Sequence, residues 1–320
     1  MLTALLIYGY ATGMYSSRAI EKASYESIAV RYIAANEHPD HDTLCAFRRR
    51  FLSEVEKLFV QVLQIAKQMK LLRLGTVALD GTKIHANASR HNALSYGRAQ
   101  KIEEQLRAEV QELLARAEAA DSTPLPAGLS VPEELARRED RLAAIAEAKA
   151  KIEARAAVDT ESMLMVGARL THSPVDVRQL VPMLDELSTR PEPLGRPSRV
   201  LADAGYFSQA NTEHSHAPGV EPLIARRRDQ HCTPWLDRLV EPSPTEETAS
   251  PVDRMAHRMR TQEGRALYGL RKQTVEPVFG IIKSVMRFRQ FLLRGLAKMT
   301  SEWDMVAMAW NVRRMAVLAR

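Results

Sequence analysis

Two short apolar runs constrain this chain more than any other feature, because each halts on an aspartate with a glycine turn just behind it. They are TVALDGTK, from Thr76, and RVLADAGY, from Arg199. Runs of Val, Leu and Ala bounded by turn residues predict strands buried on both faces. If both strands lie in one sheet with the same sense, their carboxyl ends bring Asp80 and Asp203 to one edge. Open α/β sheets build their sites at that edge. A single aspartate after a strand is ordinarily a turn former, so the pair gains meaning only from what accompanies it.

What accompanies it is helix at both ends. Residues 1–72 read as a helical domain: TALLIYGYATG, then SSRAIEKASYESIAVRYIAAN, then DHDTLCAFRRRFLSEVEKLFVQVLQIAKQM. Ser16 or Ser17 is placed to cap the second helix, and Asp42 or Thr43 the third. Thr43–Arg50 has the character of a helix that enters a DNA groove, with Arg48, Arg49 and Arg50 on its outer side. A solvated basic face is the competing reading. The remainder, 73–320, reads as a sheet domain. Lys83–Ala88 alternates like a second strand or an extension of the first. Residues 98–120 and 133–157 are rich in Ala, Glu, Arg and Leu and predict an antiparallel helical hairpin inserted over about 95–157. Ser130 with Glu133 forms a capping box for its second arm. Ser162–His172 then reads as a strand, Asp176–Leu187 as an amphipathic helix, and EPLIARRR as another strand. From about Asp253 the chain reads as helical to its end, including YGLRKQTVEPVFGIIKSVMRFRQFLLRGL. The fold class expected is α/β: a mixed sheet with flanking helical parts and a helical insertion.

The net charge of +6 is unevenly spread: +3 over residues 1–75, −7 over 76–253 and +10 over 254–320. Basic ends favour a polyanionic partner, and an acidic centre suits carboxylates gathered around cations. Two distant cysteines, Cys45 and Cys232, exclude a disulfide framework and a structural zinc site, and fit a reducing, cytoplasmic setting. The apolar opening is broken at Gly9, Tyr10 and Gly13, too short to span a membrane, and reads as a buried helix.

Glu276 is the natural third acid, since it stands alone in the basic stretch RKQTVEPVFGIIK. Lys272 lies one turn before it and Lys283 two turns after, on a shared face. Three carboxylates make a hard oxygen site for Mg²⁺ or Mn²⁺. Two such ions about 4 Å apart need the acids to offset their repulsion, while a phosphodiester needs the surrounding Lys and Arg.

Together, LYGYATG, NEHPDHDTLCAFRRRF, VALDGTKIHANASRH, LADAGYFS and the YGLRKQTVEPVFGIIK stretch resemble bacterial insertion-sequence transposases of the DDE superfamily. The resemblance implies an RNase H-like catalytic domain with Asp80, Asp203 and Glu276 as ligands of two divalent ions. It also implies a Tyr/Arg/Glu/Lys signature, here Tyr268, Arg271, Glu276 and Lys283. Arg271 stands one residue farther from Glu276 than is usual, so Lys272 is the alternative occupant of that place. The activity implied is hydrolytic nicking at element ends followed by strand transfer. The partners implied are terminal inverted repeats and target DNA, with a homodimer assembled on them. Relatives carry a helical stretch before LYGYATG, and a strand with a YNAQ-like sequence before AAVDTESMLMVGARL. In this chain KAKIEARAAVD runs out of the helical segment at that point, so the strand is expected to be shortened or missing. The rival readings are therefore a DNA-binding remnant without activity, and an RNase H-like nuclease without strand transfer.

Phosphate contacts are expected from Lys83, Arg287, Arg289, Arg294 and Lys298, the last four from the same helical region as Glu276. His85, Asn87 and His91 follow Asp80 along a strand edge, solvated or against the DNA backbone. His214, His216, His231 and Cys232 lack zinc spacing. Trp303 and Trp310 read as core, and Trp235 as a loop residue able to stack a base.

Overall fold

The computed structural model describes residues 1–86, 104–112, 137–138, 152–171, 175–216, 219–226, 241–244 and 249–320. It divides into two compact units, one of 1–85 with 152–320 and the other of 86–151. In the second unit residues 104–112 are helical, and Arg138 donates from Nε to Glu109 at 3.0 Å. The rest of the hairpin expected up to residue 151 lies outside the described residues.

In the first unit, helices run over Leu2–Thr12, Ser17–Glu26, Ile28–Ile33, His41–Arg50 and Val55–Gln68. Ser16 caps the second, and Asp40 the fourth by accepting from the Thr43 N–H at 2.6 Å. Asp40 rather than Asp42 takes that role because it directly follows Pro39 in extended backbone. Leu5, Leu6, Ile20, Val30, Ala34 and Leu44 close an apolar core among these helices. Tyr10, one turn beyond Leu6, is buried and reaches the C-terminal helix Leu296–Leu318 through Glu302.

The sheet has five strands: β1 Thr76–Ile84, β2 Ile152–Asp159, β3 Met165–Thr171, β4 Arg199–Ala202 and β5 Glu221–Ile224. They stand in the order β3-β2-β1-β4-β5. β1 pairs antiparallel with β2 and parallel with β4, β2 pairs antiparallel with β3, and β4 pairs parallel with β5. Lys83 and Ile84 thus extend β1 and do not begin a separate strand.

Two expectations are corrected here. The strand expected to be shortened or missing is present as β2, paired with β1 over eight residues from Ile152↔Ile84 to Asp159↔Val77. Its sequence, IEARAAVD, consists largely of helix formers, but helix propensity is a weak prior against ladders available on both sides. Nor is the basic tail helical throughout. The helix Gln262–Ser284 ends there, and Arg287 takes a left-handed backbone with φ of 60°. The chain then runs extended beside the end of β1, the His85 carbonyl accepting from the Phe291 N–H at 2.9 Å. Burial of Phe288 and Phe291 holds this segment down.

The C-terminal helix crosses the sheet and is buried along most of its length. Trp303 and Trp310 are core residues, with indole N–H groups that donate to the carbonyls of Arg155 and Met163. Asn311 bonds both backbone groups of Met165, which ties the helix to the start of β3.

Candidate active site

The parallel register of β1 with β4 pairs Thr76 with Arg199, Val77 with Val200 and Ala78 with Leu201. Asp80 and Asp203 each lie two residues beyond the last of these pairs. β1 continues past Asp80 to Ile84, so Asp80 lies within the strand and does not end it as expected; the register and the charge interaction between the two acids bring Asp80 near Asp203 where β4 stops. The helix Gln262–Ser284 packs over β1 and contributes the rest. Arg271 donates from Nη1 to Asp80 Oδ2 at 3.1 Å, and its Nη2 lies 3.8 Å from Glu276 Oε1. Lys283 Nζ donates to Thr82 Oγ1 at 2.5 Å. Pro277, directly after Glu276, has no N–H for the carbonyl one turn earlier, which loosens the helix where the acid sits.

Asp80 Oδ1 accepts from the Gly81 N–H at 2.8 Å, and Asp203 Oδ1 from the Gly205 N–H at 2.9 Å. The second bond folds the DAGY turn. Burial raises the Asp80 carboxyl above the usual carboxylate range, and Asp203 and Glu276 push it the same way. The Gly81 amide and Arg271 oppose that shift. Burial also lowers the Lys283 ammonium.

The donor set suits a hard divalent cation, since three carboxylates of like charge act on one another with Arg271 as the guanidinium bonded among them. As the side chains stand, no three His, Cys, Asp or Glu among the described residues are disposed to hold a metal ion. Arg271 lies against Asp80, and Glu276, with its side chain 55% exposed, points partly to solvent. The side chain of Asp80 is 22% exposed and borders a cleft of about 260 Å³ with Gly81, Thr82, Lys83, Glu153 and Asp176. A larger cleft of about 320 Å³, mostly apolar, lies among the N-terminal helices beside Phe47 and Phe51, away from these acids.

The structure thus brings together Asp80, Asp203, Arg271 and Glu276, and Lys283 meets the same strand at Thr82. Lys272 is exposed on the same helix. Lys83 is exposed, with Nζ 3.9 Å from Glu153. Arg287, Arg289 and Arg294 are exposed as well, but they lie in the irregular segment beyond the helix, and Lys298 lies on the next helix. Arg49 and Arg50 face solvent, whereas Arg48 turns inward, bonding the Tyr15 carbonyl and acting on Tyr10 and Glu302. His214 lies 3.4 Å from Asp185, and burial and Arg254 lower His216. His85 forms a bridge to Gln290. Asn87, His91, His231, Cys232 and Trp235 lie outside the described residues. Sequence reasoning did not single out Glu153, Arg155, Asp176 or Tyr206. The available signal was two charged residues, spaced by one, inside the otherwise apolar IEARAAVD.

Two family models match the chain. One described as Transposase DDE domain covers residues 227–316, the part that carries Glu276 and Lys283. One described as Transposase domain (DUF772) covers residues 1–50. A protein of Burkholderia cepacia named as a transposase for insertion sequence element IS402 is 42% identical over 60 residues. That similarity spans 18% of this chain and 28% of the relative's length. No solved structure matches. Segments toward both ends of the chain thus match transposase domain models, the C-terminal match containing Glu276 and the stretch between the two holding Asp80 and Asp203, and in those segments the chain is similar to insertion-sequence transposases of the DDE type.

Proposed function

We propose that this protein is a DNA transposase in which Asp80, Asp203 and Glu276 hold Mg²⁺ or Mn²⁺, two ions in all, for strand cleavage and strand transfer at the ends of its element. The observation that supports the reading is the parallel β1–β4 register, with Asp80 and Asp203 each two residues beyond its last pair and the helix of Glu276 packed on β1. The strand order β3-β2-β1-β4-β5, with one antiparallel meander and two parallel additions, supports an RNase H-like sheet. Bound divalent cations would supply Lewis-acid activation of the attacking oxygen and relieve charge on the leaving oxygen.

The protein's own side chains do the rest. Asp80, Asp203 and Glu276 would hold the cations. Lys283, fixed by Thr82, and Lys83 place positive charge where a phosphodiester enters the cleft. Arg271, now on the Asp80 carboxylate, would be free to bind a phosphate oxygen were cations to hold the acids, since its guanidinium fork suits either partner. Arg287, Arg289 and Arg294, with Arg49 and Arg50, supply backbone contacts to double-stranded DNA, and a homodimer pairs the two inverted repeats. Residues 1–72 serve DNA binding and 73–320 the chemistry. No helix among the described residues is long and apolar enough to cross a membrane, and the reading places the protein with the nucleoid in the cytoplasm.

The test is cleavage of labelled element-end DNA in Mg²⁺ or Mn²⁺. Wild type is expected to nick and then join. Glu276→Ala is expected to lose at least about a hundredfold in rate, as when a principal transition-state group is removed. Unchanged nicking by Glu276→Ala would remove that residue from the site. Nicks without joined products would identify a nuclease.

A further inference from the structure

Arg155 is a fully buried guanidinium, 1% exposed, on β2. Desolvating such a group costs several kcal/mol unless its donors are met. Three elements meet its two terminal nitrogens, while Nε is buried without a hydrogen-bond partner. Nη1 donates to the Tyr206 hydroxyl at 2.6 Å and to Asp176 Oδ1 at 2.5 Å, and Nη2 donates to Glu153 Oε2 at 2.5 Å. The backbone of Arg155 is held in turn, its carbonyl accepting from Trp303 Nε1 at 3.1 Å.

These bonds reach both sides of the carboxylate site. Arg155 stands opposite Gly81 in the β1–β2 register, and a Cβ on Gly81 would lie 3.1 Å from Nη1. The guanidinium therefore lies over the residue next to Asp80, where an added Cβ would crowd it. Tyr206 closes the turn that begins at Asp203. Asp176 presses on the same turn: a Cβ on Gly205 would meet Asp176 Oδ2 at 2.7 Å and Asp203 Oδ1 at 3.1 Å. None of the side chains bonded to Arg155 is an acid proposed to hold cations.

We propose that Arg155 is a positioning residue that fixes the turn bearing Asp203 against the strand bearing Asp80, through Tyr206 and Asp176, and so sets the separation of the two carboxylates. The proposal rests on the reading of those aspartates as cation ligands. A planar fork on a rigid strand can hold two acceptors at fixed angles, whereas an ammonium cannot. Such support of metal ligands is worth about 10–100-fold in cation affinity.

The experiment titrates Mn²⁺ into the purified full chain without DNA, follows free Mn²⁺ by paramagnetic resonance, and records thermal unfolding without metal beside it. Tyr206→Phe keeps the ring and removes one acceptor. It is expected to melt close to wild type and to bind Mn²⁺ about tenfold more weakly. Arg155→Lys keeps the charge, loses the fork and is expected to bind more weakly still. A purely structural role would lower the melting temperature and leave the affinity of the folded protein unchanged. Asp80→Asn separates the two failures. If Asp80→Asn binds Mn²⁺ as wild type does, the cation reading falls and takes this proposal with it. If Asp80→Asn weakens binding while folded Tyr206→Phe and Arg155→Lys bind as wild type, the positioning role is overturned. Should Arg155→Lys fail to fold, Tyr206→Phe alone decides.

Discussion

At Asp80 a partly buried carboxylate stands beside Asp203 and Glu276, with the Arg271 guanidinium bonded to it. Burial and the two neighbouring acids raise its pKa, so the folded protein holds a proton there that the unfolded chain has released. A carboxyl raised in this way contributes stability below its unfolded pKa, and that stability is lost as pH rises through the folded value. Asp80→Asn removes the charge at nearly constant volume. Without metal it is expected to raise the melting temperature at pH 7.5, and to abolish the further rise that Mn²⁺ gives wild type by binding the folded state. A lower melting temperature with the Mn²⁺ effect retained would contradict the assignment. Glu276, more exposed, is expected to give the smaller stability change on substitution by glutamine and the same loss of the Mn²⁺ effect.

Among the elements, the segment between the two long C-terminal helices separates DNA contact from site geometry. Arg287, Arg289 and Arg294 leave the surface there as exposed side chains, on backbone held by the bridge to His85 and by buried Phe288 and Phe291. Each arginine that meets a phosphate contributes about one unit to the slope of log K against log salt. Arg289→Ala is expected to reduce that slope by about one, measured by fluorescence anisotropy on element-end DNA, with Mn²⁺ affinity unchanged. Trp303→Ala, which empties a fully buried site between helix and sheet, is expected to cost about 3–5 kcal/mol in denaturant unfolding. The elements differ in how legible they are in the sequence. β1 and β4 are readable because each is a short apolar run rich in β-branched residues or bounded by turn residues, although β1 runs on past Asp80 to Ile84 where the apolar run stops. β2 was not, because IEARAAVD satisfies helix propensity and only pairing with both neighbours makes it a strand. The tail from Val285 was read as helix because nothing local announces the left-handed turn at Arg287. The same limit applies within the site. Asp80, Asp203, Glu276 and Lys283 follow from pattern and spacing, whereas the Arg155 contacts exist only through cross-strand register.

Four acids among the described residues are shifted in one direction. Glu186, Glu302 and Asp304 are all raised by burial, Asp304 to about 8, and Asp80 joins them. Each holds a proton in the fold over some range where the unfolded chain has lost it, and for Asp304 that range runs from about 4 toward 8, so its contribution to stability falls as pH climbs through that window. Thermal unfolding at a series of pH values in that window is expected to show a declining melting temperature. Asp304→Asn is expected to flatten the decline, and a melting temperature that rises across the window would contradict the account. The same site acids connect stability to function, since cations that occupy them reverse the cost of ionisation where the chemistry takes place. The most direct measurement is therefore Mn²⁺ affinity and stoichiometry for wild type, Asp80→Asn, Asp203→Asn and Glu276→Gln, all checked as folded. The account predicts that each substitution, made on a different element, weakens the same binding event. Binding of Mn²⁺ to all three variants with wild-type affinity would contradict it.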